Sequence, residues 1–250
     1  MGCFYVAFQV TREALREAVA AVRALGILGL NVTMPLKTAI VEHLDRLEST
    51  ARFVEAVNTV VNREGVLTGF NTDGAGALNV LTEARINLEG EKVVLLGAGG
   101  AARAIAYNLV HACGSLAILN RTVEKAVALA ELVRARGEAR VAARPLTQAA
   151  LAEELRDSSL LVNATSLGMR PLEAETPVPR ELLRRDLAVF DLVYDPANTR
   201  FLAEAREVGA RTIDGVSMLV HQGAESFRIW TGREAPVAVM MRAARQALPP

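Results

Sequence analysis

The sequence predicts an α/β protein in which a Rossmann-like, doubly wound parallel sheet follows a smaller α/β domain. Three observations carry this prediction. Apolar strands alternate with helices rich in alanine, leucine and glutamate between residues 92 and 215. A glycine-rich turn over residues 97–102 joins one of these strands to its helix. The chain has 250 residues, of which 51% are hydrophobic, and this length suffices for one large domain or two modest ones.

The smaller domain opens with an alternating segment followed by a helix. Alternation of apolar residues predicts a strand over residues 4–10. The helical spacing of Leu15, Val19 and Val22 predicts a helix over residues 11–25. A parallel β-α-β arrangement has a central strand for such elements to flank, and no strand precedes residue 4. We therefore expect this domain to be incomplete at its N-terminus.

The rest of the smaller domain is expected to contain a strand, a helix and a hairpin. Residues 27–33 resemble a short strand. Pro35 suits the opening turn of a helix that runs to about Leu47. Two strand-like runs, 56–62 and 65–70, are separated by a tight turn that contains glycine, and this pattern is typical of a β-hairpin.

The larger domain is expected to begin with a helix after residue 72 and to continue as alternating strands and helices. A series of parallel strands linked by helices describes a doubly wound sheet. We place its six strands near residues 93–97, 115–119, 140–143, 159–163, 188–193 and 211–213.

Two helices are expected after Gly215, over residues 218–230 and 236–248, with no strand between them. Because they fall outside the run of alternating strands and helices, we expect them to return and cover the smaller domain. The predicted division is a first domain of residues 1–72 and 216–250, completed by these C-terminal helices, and a second domain of residues 73–215.

The glycine-rich turn predicts a dinucleotide site. Gly97 allows a sharp turn after the strand, Gly99 allows the backbone to approach a pyrophosphate, and Ala102 lets the helix pack closely. Free amide hydrogens at the helix start then face the phosphates. The alternative is a tight strand-to-helix turn that binds no ligand. The predicted phosphate-binding stretch is Gly97, Ala98, Gly99, Gly100 and Ala101.

The end of the next strand predicts that this site prefers NADP. Asn120 and Arg121 stand where NAD-binding chains usually carry an acid that bonds the adenosine ribose. A guanidinium can hold a 2′-phosphate through two hydrogen bonds, whereas an acidic side chain would repel that phosphate. Thr122 adds a hydroxyl donor and Lys125 a second positive charge. The alternative for both cations is a solvated helix start.

The composition narrows the class of partner. Lys and Arg together number 28, as do Asp and Glu, so no overall field attracts the chain to nucleic acid or to an anionic membrane. We therefore expect a small-molecule partner. Two cysteines fit a reducing cytoplasm, and three histidines without ligand spacing predict no metal site.

Lys37 and Asp73 are candidates for acid–base chemistry. Lys37 follows a strand end in the smaller domain, and Asp73 lies at the junction between the domains. An ammonium can donate to a developing alkoxide while a carboxylate orients the lysine and the substrate. The alternatives are an exposed lysine at a helix start and an aspartate that caps a helix.

Eight short motifs carry a resemblance to a known family. They are Asn31-Val-Thr-Met-Pro-Leu-Lys37, Glu55-Ala-Val-Asn-Thr59, Gly69-Phe-Asn-Thr-Asp-Gly74, Gly97-Ala-Gly-Gly-Ala-Ala-Arg103, Asn120-Arg-Thr122, Asn163-Ala-Thr-Ser-Leu-Gly-Met169, Asp191-Leu-Val-Tyr194 and Gly215-Val-Ser-Met-Leu-Val-His-Gln222. In this order they resemble the shikimate dehydrogenases over nearly the whole chain.

The resemblance implies NADPH-dependent, reversible reduction of the ketone of 3-dehydroshikimate to shikimate, on the chorismate pathway to aromatic amino acids. It implies that Lys37 is the catalytic lysine and Asp73 its partner on the substrate hydroxyls. Substrate contacts carried over by position are Thr33, Asn58, Tyr194 and Gln222. Leu192 and Gly215 correspond to backbone contacts near the nicotinamide, to which Tyr194 also lies close.

One part of the family pattern is not found in this sequence. Family members carry a Ser-x-Ser-Pro segment whose hydroxyls bind the substrate carboxylate, and nothing near Met1 replaces it. Two charge-assisted hydrogen bonds together are worth about 3–6 kcal/mol. Two alternatives therefore stay open: an NADP-binding protein with lost or impaired activity, and a quinate/shikimate dehydrogenase. A homodimer is also left open.

Overall fold

A computed structural model describes residues 2–247, and the chain divides into two compact units at the bond between Asn71 and Thr72. The first unit contains a four-stranded mixed sheet, and the second contains a six-stranded sheet whose strands are all parallel. The predicted α/β class with a Rossmann-like sheet and a smaller α/β domain is confirmed.

The first unit is built around the predicted hairpin. Strands β3 and β4 are antiparallel neighbours, with β1 antiparallel on the outer side of β3 and β2 parallel on the outer side of β4. Apolar side chains from helix α1 and from the hairpin form its core. The elements are α1 (Leu15–Ala24), β1 (Gly29–Asn31), a 3-10 helix (Ala39–His43), β2 (Arg46–Leu47), α2 (Ser49–Val54), β3 (Thr59–Arg63) and β4 (Val66–Phe70).

The strand predicted over residues 4–10 is wrong. These residues form no strand, and Phe4 and Phe8 are 98% and 70% exposed. The Tyr5 hydroxyl donates a hydrogen bond to the Asn31 side chain at 2.9 Å, but no described strand pairs with this segment. Alternating apolar residues form a strand only where a neighbouring strand completes the hydrogen-bond ladder.

The helix predicted from Pro35 to about Leu47 is also wrong. A 3-10 helix over Ala39–His43 replaces it, and the following residues join the sheet as β2. Arg46 and Leu47 lie opposite two residues of β4, and the Asp45 side chain accepts a hydrogen bond from the backbone of that strand at 2.7 Å. Pairing with β4 therefore overrides the local preference for helix.

The second unit has the strand order β10-β9-β8-β5-β6-β7. The order reverses between β5 and β8, which is where a doubly wound sheet opens a crevice at its carboxyl edge. All six predicted strands are confirmed to within two residues at each end. The strands are β5 (Lys92–Leu96), β6 (Ser115–Asn120), β7 (Arg140–Pro145), β8 (Leu160–Asn163), β9 (Ala188–Asp191) and β10 (Arg211–Ile213).

Helices cover both faces of this sheet, and for that reason β5, β8 and β9 consist of buried residues almost throughout. The helices of the second unit are α3 (Asp73–Glu83), α4 (Gly100–Leu109), α5 (Val123–Arg134), α6 (Gln148–Leu155), α7 (Arg200–Glu207), α8 (Gly215–Thr231) and α9 (Val237–Ala247), with a 3-10 helix at Arg180–Leu182. No helix within residues 2–247 is both long enough and apolar enough to span a bilayer.

The two predicted C-terminal helices are present as α8 and α9, except that residue 248 lies outside the described residues. Helix α8 packs against α3, and α9 packs against α8. The Asp214 side chain caps α8 by accepting a hydrogen bond from the backbone of Ser217 at 2.8 Å. The allocation of residues 216–250 to the same domain as residues 1–72 stays a prediction.

Candidate active site

The glycine turn begins with a backbone conformation that side chains rarely adopt. Gly97 has φ +106°, and a Cβ placed on it would lie 2.9 Å from the carbonyl oxygen of Ala164, which follows β8. The turn therefore requires glycine for two reasons, the left-handed backbone and the close approach of a second chain segment. Both reasons concern the fold and neither concerns a ligand.

The next two glycines of the turn differ from Gly97. Gly99 and Gly100 are exposed, and a Cβ on either would meet no atom within 4 Å. Gly99 is the N-cap residue of helix α4, and no side chain there bonds the free backbone amides of the first turn. The first turn of α4 also contains no acidic residue. Open backbone amides at a helix N-terminus fit a phosphate group.

The predicted 2′-phosphate contacts lie together at the end of β6. The Asn120 side chain donates to the Thr122 carbonyl at 2.8 Å and so shapes the turn into helix α5. Arg121, Thr122 and Lys125 are exposed there, and no carboxylate within residues 2–247 forms an ion pair with either cation. The Thr122 hydroxyl does not cap the helix. These donors are therefore accessible to an anion.

The predicted nicotinamide contacts lie at the end of β9. Leu192 is partly buried and Tyr194 is 43% exposed. A Cβ on Gly215, the first residue of α8, would lie 2.5 Å from the carbonyl oxygen of Leu192 and 2.3 Å from that of Val193. The structure therefore brings Leu192 and Gly215 together, with the start of α8 against the backbone that leaves the sheet.

Two buried polar residues beside this backbone received no role from the sequence. Asn163 and Asp191 end strands β8 and β9 at paired positions, and the amide of Asn163 donates to the carboxylate of Asp191 at 2.9 Å. Burial raises the pKa of Asp191, although hydrogen bonds from Thr199, Val193 and Asn163 act to lower it. A polar residue at the end of each of these two apolar runs is the sequence signal that could have indicated them.

Three of the predicted substrate and catalytic residues lie close together in the first unit. The Val57 backbone N–H donates to the carbonyl of Lys37 at 2.8 Å, and the Val32 N–H donates to the carbonyl of Asn58 at 2.8 Å. These two bonds hold the segment that bears Thr33 and Lys37 beside Asn58. Thr33 is exposed, Lys37 is partly buried and Asn58 is buried.

Asp73 and Gln222 belong to helices of the second unit that cross at close range. A Cβ on Gly76, in α3, would lie 2.7 Å from the backbone nitrogen of Gln222, in α8. The side chains of Thr72 and Gln222 are 3.4 Å apart. Asp73, which is 6% exposed, is the first residue of α3, and its negative charge there is favourable to the helix dipole.

Three family models match successive parts of the chain. The shikimate dehydrogenase substrate binding domain matches residues 1–60, the shikimate / quinate 5-dehydrogenase model residues 80–216, and the shikimate 5'-dehydrogenase C-terminal domain residues 215–245. A Moorella thermoacetica relative named shikimate dehydrogenase (NADP(+)) is 47% identical over 245 residues, which are 98% of this chain and 83% of the relative. The chain belongs to the shikimate dehydrogenase family.

Solved structures from this family have the same fold. A Thermus thermophilus shikimate 5-dehydrogenase, in complex with NADP(H) and shikimate, is 42% identical with a TM-score of 0.84, over 96% of this chain and 86% of that one. A Listeria monocytogenes shikimate 5-dehydrogenase, in complex with shikimate and NAD, is 38% identical with a TM-score of 0.88, over 94% and 84% of the two chains. The family predicted from the motifs is confirmed, and structures of this fold contain either dinucleotide.

The crossing of α3 and α8 generates a prediction about stability. Gly76→Ala places a methyl group within contact distance of the Gln222 backbone, so the two helices must separate. We expect the free energy of unfolding to fall by about 1–3 kcal/mol, as for other overpacked sites. Urea unfolding at pH 7 measures this change.

Gly223→Ala is the matched control, because the nearest atom to its new methyl group would be Cε of Met240 at 3.4 Å, an ordinary contact. Alanine favours helix over glycine by up to about 1 kcal/mol, so this variant should be no less stable than the parent chain. Equal stability of the two variants would contradict the proposed close crossing.

Proposed function

We propose that this chain catalyses the reversible, NADP-dependent interconversion of 3-dehydroshikimate and shikimate. The observation that carries the proposal is the alignment of 98% of the chain with a relative named for an NADP-dependent shikimate dehydrogenase. Lys37 and Asp73 lie in motifs that resemble the family's catalytic segments. The open amides of the glycine turn and the exposed cations after β6 support the choice of cofactor.

The cofactor would be held by groups at the carboxyl edge of the parallel sheet. Backbone amides at Gly99 and Gly100 would hold the pyrophosphate, and the guanidinium of Arg121 would hold the 2′-phosphate together with Thr122 and Lys125. When bound, NADPH supplies the hydride that reduces a ketone. An anion at this edge is favoured because the start of α4 carries no acid and no capping side chain.

The proposed acid–base chemistry uses Lys37 and Asp73. In the direction of reduction, the ammonium of Lys37 donates a proton toward the ketone oxygen as negative charge develops on it. The carboxylate of Asp73 accepts a hydrogen bond from a substrate hydroxyl and orients the ring. Thr33, Asn58, Tyr194 and Gln222 complete the proposed substrate contacts with neutral hydrogen-bonding groups, which fits a ligand that carries several hydroxyls.

Several other parts of the sequence-based interpretation concern activity, domain division and partners. A cofactor-binding protein without activity is not favoured, because the relatives are named as enzymes and align with nearly the whole chain. The division into a substrate domain of residues 1–72 and 216–250 and a cofactor domain of residues 73–215 is part of our proposal. A homodimer, a cytoplasmic location and the lack of a nucleic-acid partner stay predictions.

The direct test is oxidation of shikimate by NADP⁺, followed by the absorbance of NADPH. Quinate, which differs at one ring position, replaces shikimate in the parallel measurement. We expect turnover with shikimate to exceed turnover with quinate. NADPH formation with quinate alone, or with neither acid, contradicts the proposed function.

Lys37→Met tests the proposed acid. We expect kcat to fall by about 10²- to 10⁴-fold, because the ketone oxygen loses its proton donor, while the Kd for NADP⁺ stays unchanged. Steady-state kinetics and calorimetric titration measure the two quantities. Thr38→Ala is the control, since Thr38 is exposed, adjacent to Lys37 and outside the proposed site. A Lys37→Met variant with the parent kcat removes Lys37 from the mechanism.

Arg121→Asp tests the choice of NADP over NAD. We expect the Kd for NADP⁺ to rise at least about tenfold, because a carboxylate repels the 2′-phosphate that a guanidinium binds, and the Kd for NAD⁺ to change less. Arg156→Asp reverses the same charge at the exposed end of α6, on the opposite edge of the sheet. If both variants give the same ratio of the two dissociation constants, Arg121 does not select the cofactor.

Gly99→Ala tests whether the open glycine faces a ligand. A Cβ at Gly99 meets nothing within 4 Å, so we expect unchanged thermal stability but a Kd for NADP⁺ at least about tenfold higher, since the methyl group fills the approach to the pyrophosphate. Gly97→Ala is the comparison, and its strained backbone should lower the melting temperature itself. Unchanged NADP⁺ binding by Gly99→Ala would place the pyrophosphate elsewhere.

A further inference from the structure

A fully buried carboxylate at the end of β9 has no part in the proposed reaction. Asp191 is 0% exposed, and three donors surround it. Its Oδ1 atom accepts hydrogen bonds from the Asn163 amide at 2.9 Å and from the Val193 backbone N–H at 3.2 Å. Its Oδ2 atom accepts one from the Thr199 hydroxyl at 2.6 Å. Both oxygens of this buried carboxylate therefore have hydrogen-bond partners.

Asn163 connects Asp191 to the loop that follows β8. Its Oδ1 atom accepts hydrogen bonds from the backbone N–H of Thr165 at 3.1 Å and from the hydroxyl of Thr165 at 2.7 Å. Its Nδ2 atom donates to the carbonyl of Leu167 at 3.3 Å as well as to Asp191. One amide side chain therefore bonds Thr165 and Leu167 of this loop and joins them to the end of β9.

The same network fixes the backbone of Leu192 and Val193. The Leu192 N–H donates to the carbonyl of Asn163 at 3.0 Å, and the Val193 N–H donates to Asp191. The carbonyls of these two residues lie against Gly215, where even one methyl group has no room. A shift of the Asp191 carboxylate would therefore displace both Leu192 and the start of α8.

The network lies at one side of the glycine turn, and the exposed cations lie at the other. In the sheet, β5 has β8 as its neighbour on one side and β6 on the other, with Leu96 level with Asn163 and with Leu119. Arg121 follows β6, whereas Asn163 and Asp191 end β8 and β9. A dinucleotide bound across this edge places its adenosine half on the β6 side and its other half on the β8 and β9 side.

We propose that Asp191 is a positioning residue for the nicotinamide half of the cofactor. Through Asn163, Thr199 and the Val193 N–H, its carboxylate holds the two loops that form that half of the site, without touching the ligand. The inference rests on the proposed function, because Leu192 and Tyr194 face a nicotinamide only if the cofactor is a nicotinamide dinucleotide.

The competing explanation is that the network only stabilises the second unit, with no specific effect on cofactor binding. The two explanations predict different effects on the binding of the two halves of NADP⁺. Adenosine 2′,5′-bisphosphate carries the 2′-phosphate and the adenosine but no nicotinamide, so it occupies only the β6 side. If Asp191 has a positioning role, weakening the network changes the Kd for NADP⁺ relative to the Kd for this fragment. If the network only stabilises the unit, the two dissociation constants change together or not at all.

Thr199→Val is the first variant, because it removes one donor to Asp191 and leaves the carboxylate in place. Thr199 also caps α7 through its Oγ1 atom, which accepts from the Leu202 N–H at 3.2 Å. Thr147→Val is the matched control, since the Thr147 hydroxyl caps α6 in the same way, at 3.3 Å from the Ala150 nitrogen, without reaching a carboxylate. Both variants lose a helix cap and only Thr199→Val weakens the network.

The measurements are calorimetric dissociation constants for NADP⁺ and for adenosine 2′,5′-bisphosphate, with kcat and KM for shikimate. For Thr199→Val we expect the ratio of the two dissociation constants to shift at least about fivefold against NADP⁺, and kcat to fall at least about tenfold with little change in KM. Thr147→Val should change none of these. Thr199→Ser, which keeps the hydroxyl, should restore the parent values.

Asp191→Asn is the second variant, and it turns one acceptor oxygen into a donor facing other donors. A folded Asp191→Asn chain should show the same selective loss as Thr199→Val, and if it does not fold, Thr199→Val and Thr199→Ser decide. An unchanged ratio of the two dissociation constants, or an equal rise in both, overturns the positioning role.

A parent chain that binds NADP⁺ but oxidises neither shikimate nor quinate refutes the proposed function, and the ratio of dissociation constants still tests this inference. A parent chain that binds neither ligand refutes both.

Discussion

The carboxyl edge of the parallel sheet depends on the close approach of two backbones at the point where the strand order reverses. Gly97 turns sharply after β5 with a left-handed backbone, and the carbonyl of Ala164 after β8 lies where a side chain would begin. This contact holds the turn that leads into α4 close to the loop after β8. The open amides and the polar strand ends are arranged around this one contact.

Glycines in the second unit serve two distinct purposes. At Gly76, Gly97 and Gly215 a methyl group would strike backbone atoms, so these positions allow protein segments to pack closely. At Gly99 and Gly100 a methyl group would enter open space, so packing gives no reason for a glycine. A sequence motif treats these glycines alike, whereas steric surroundings separate those that build the fold from those that leave room for a ligand.

Buried polar groups at the strand ends are costly unless every one is paired. Asp191 and Asn163 meet this requirement with donors and acceptors taken from the two loops that leave the sheet, so satisfying them also orders those loops. The first unit achieves local order differently, by backbone hydrogen bonds that hold the segment of Lys37 beside Asn58.

The sequence by itself determined the six parallel strands, the hairpin and the glycine turn, because each depends on a local signal: an apolar run, a short turn or a glycine spacing. It misjudged residues 4–10 and the segment after Pro35, since strand formation there depends on whether a distant strand offers a free edge. It assigned no role to Asp191 and Thr199. Their network with Asn163 joins residues up to 36 positions apart, and only the alignment of neighbouring strands brings them into contact.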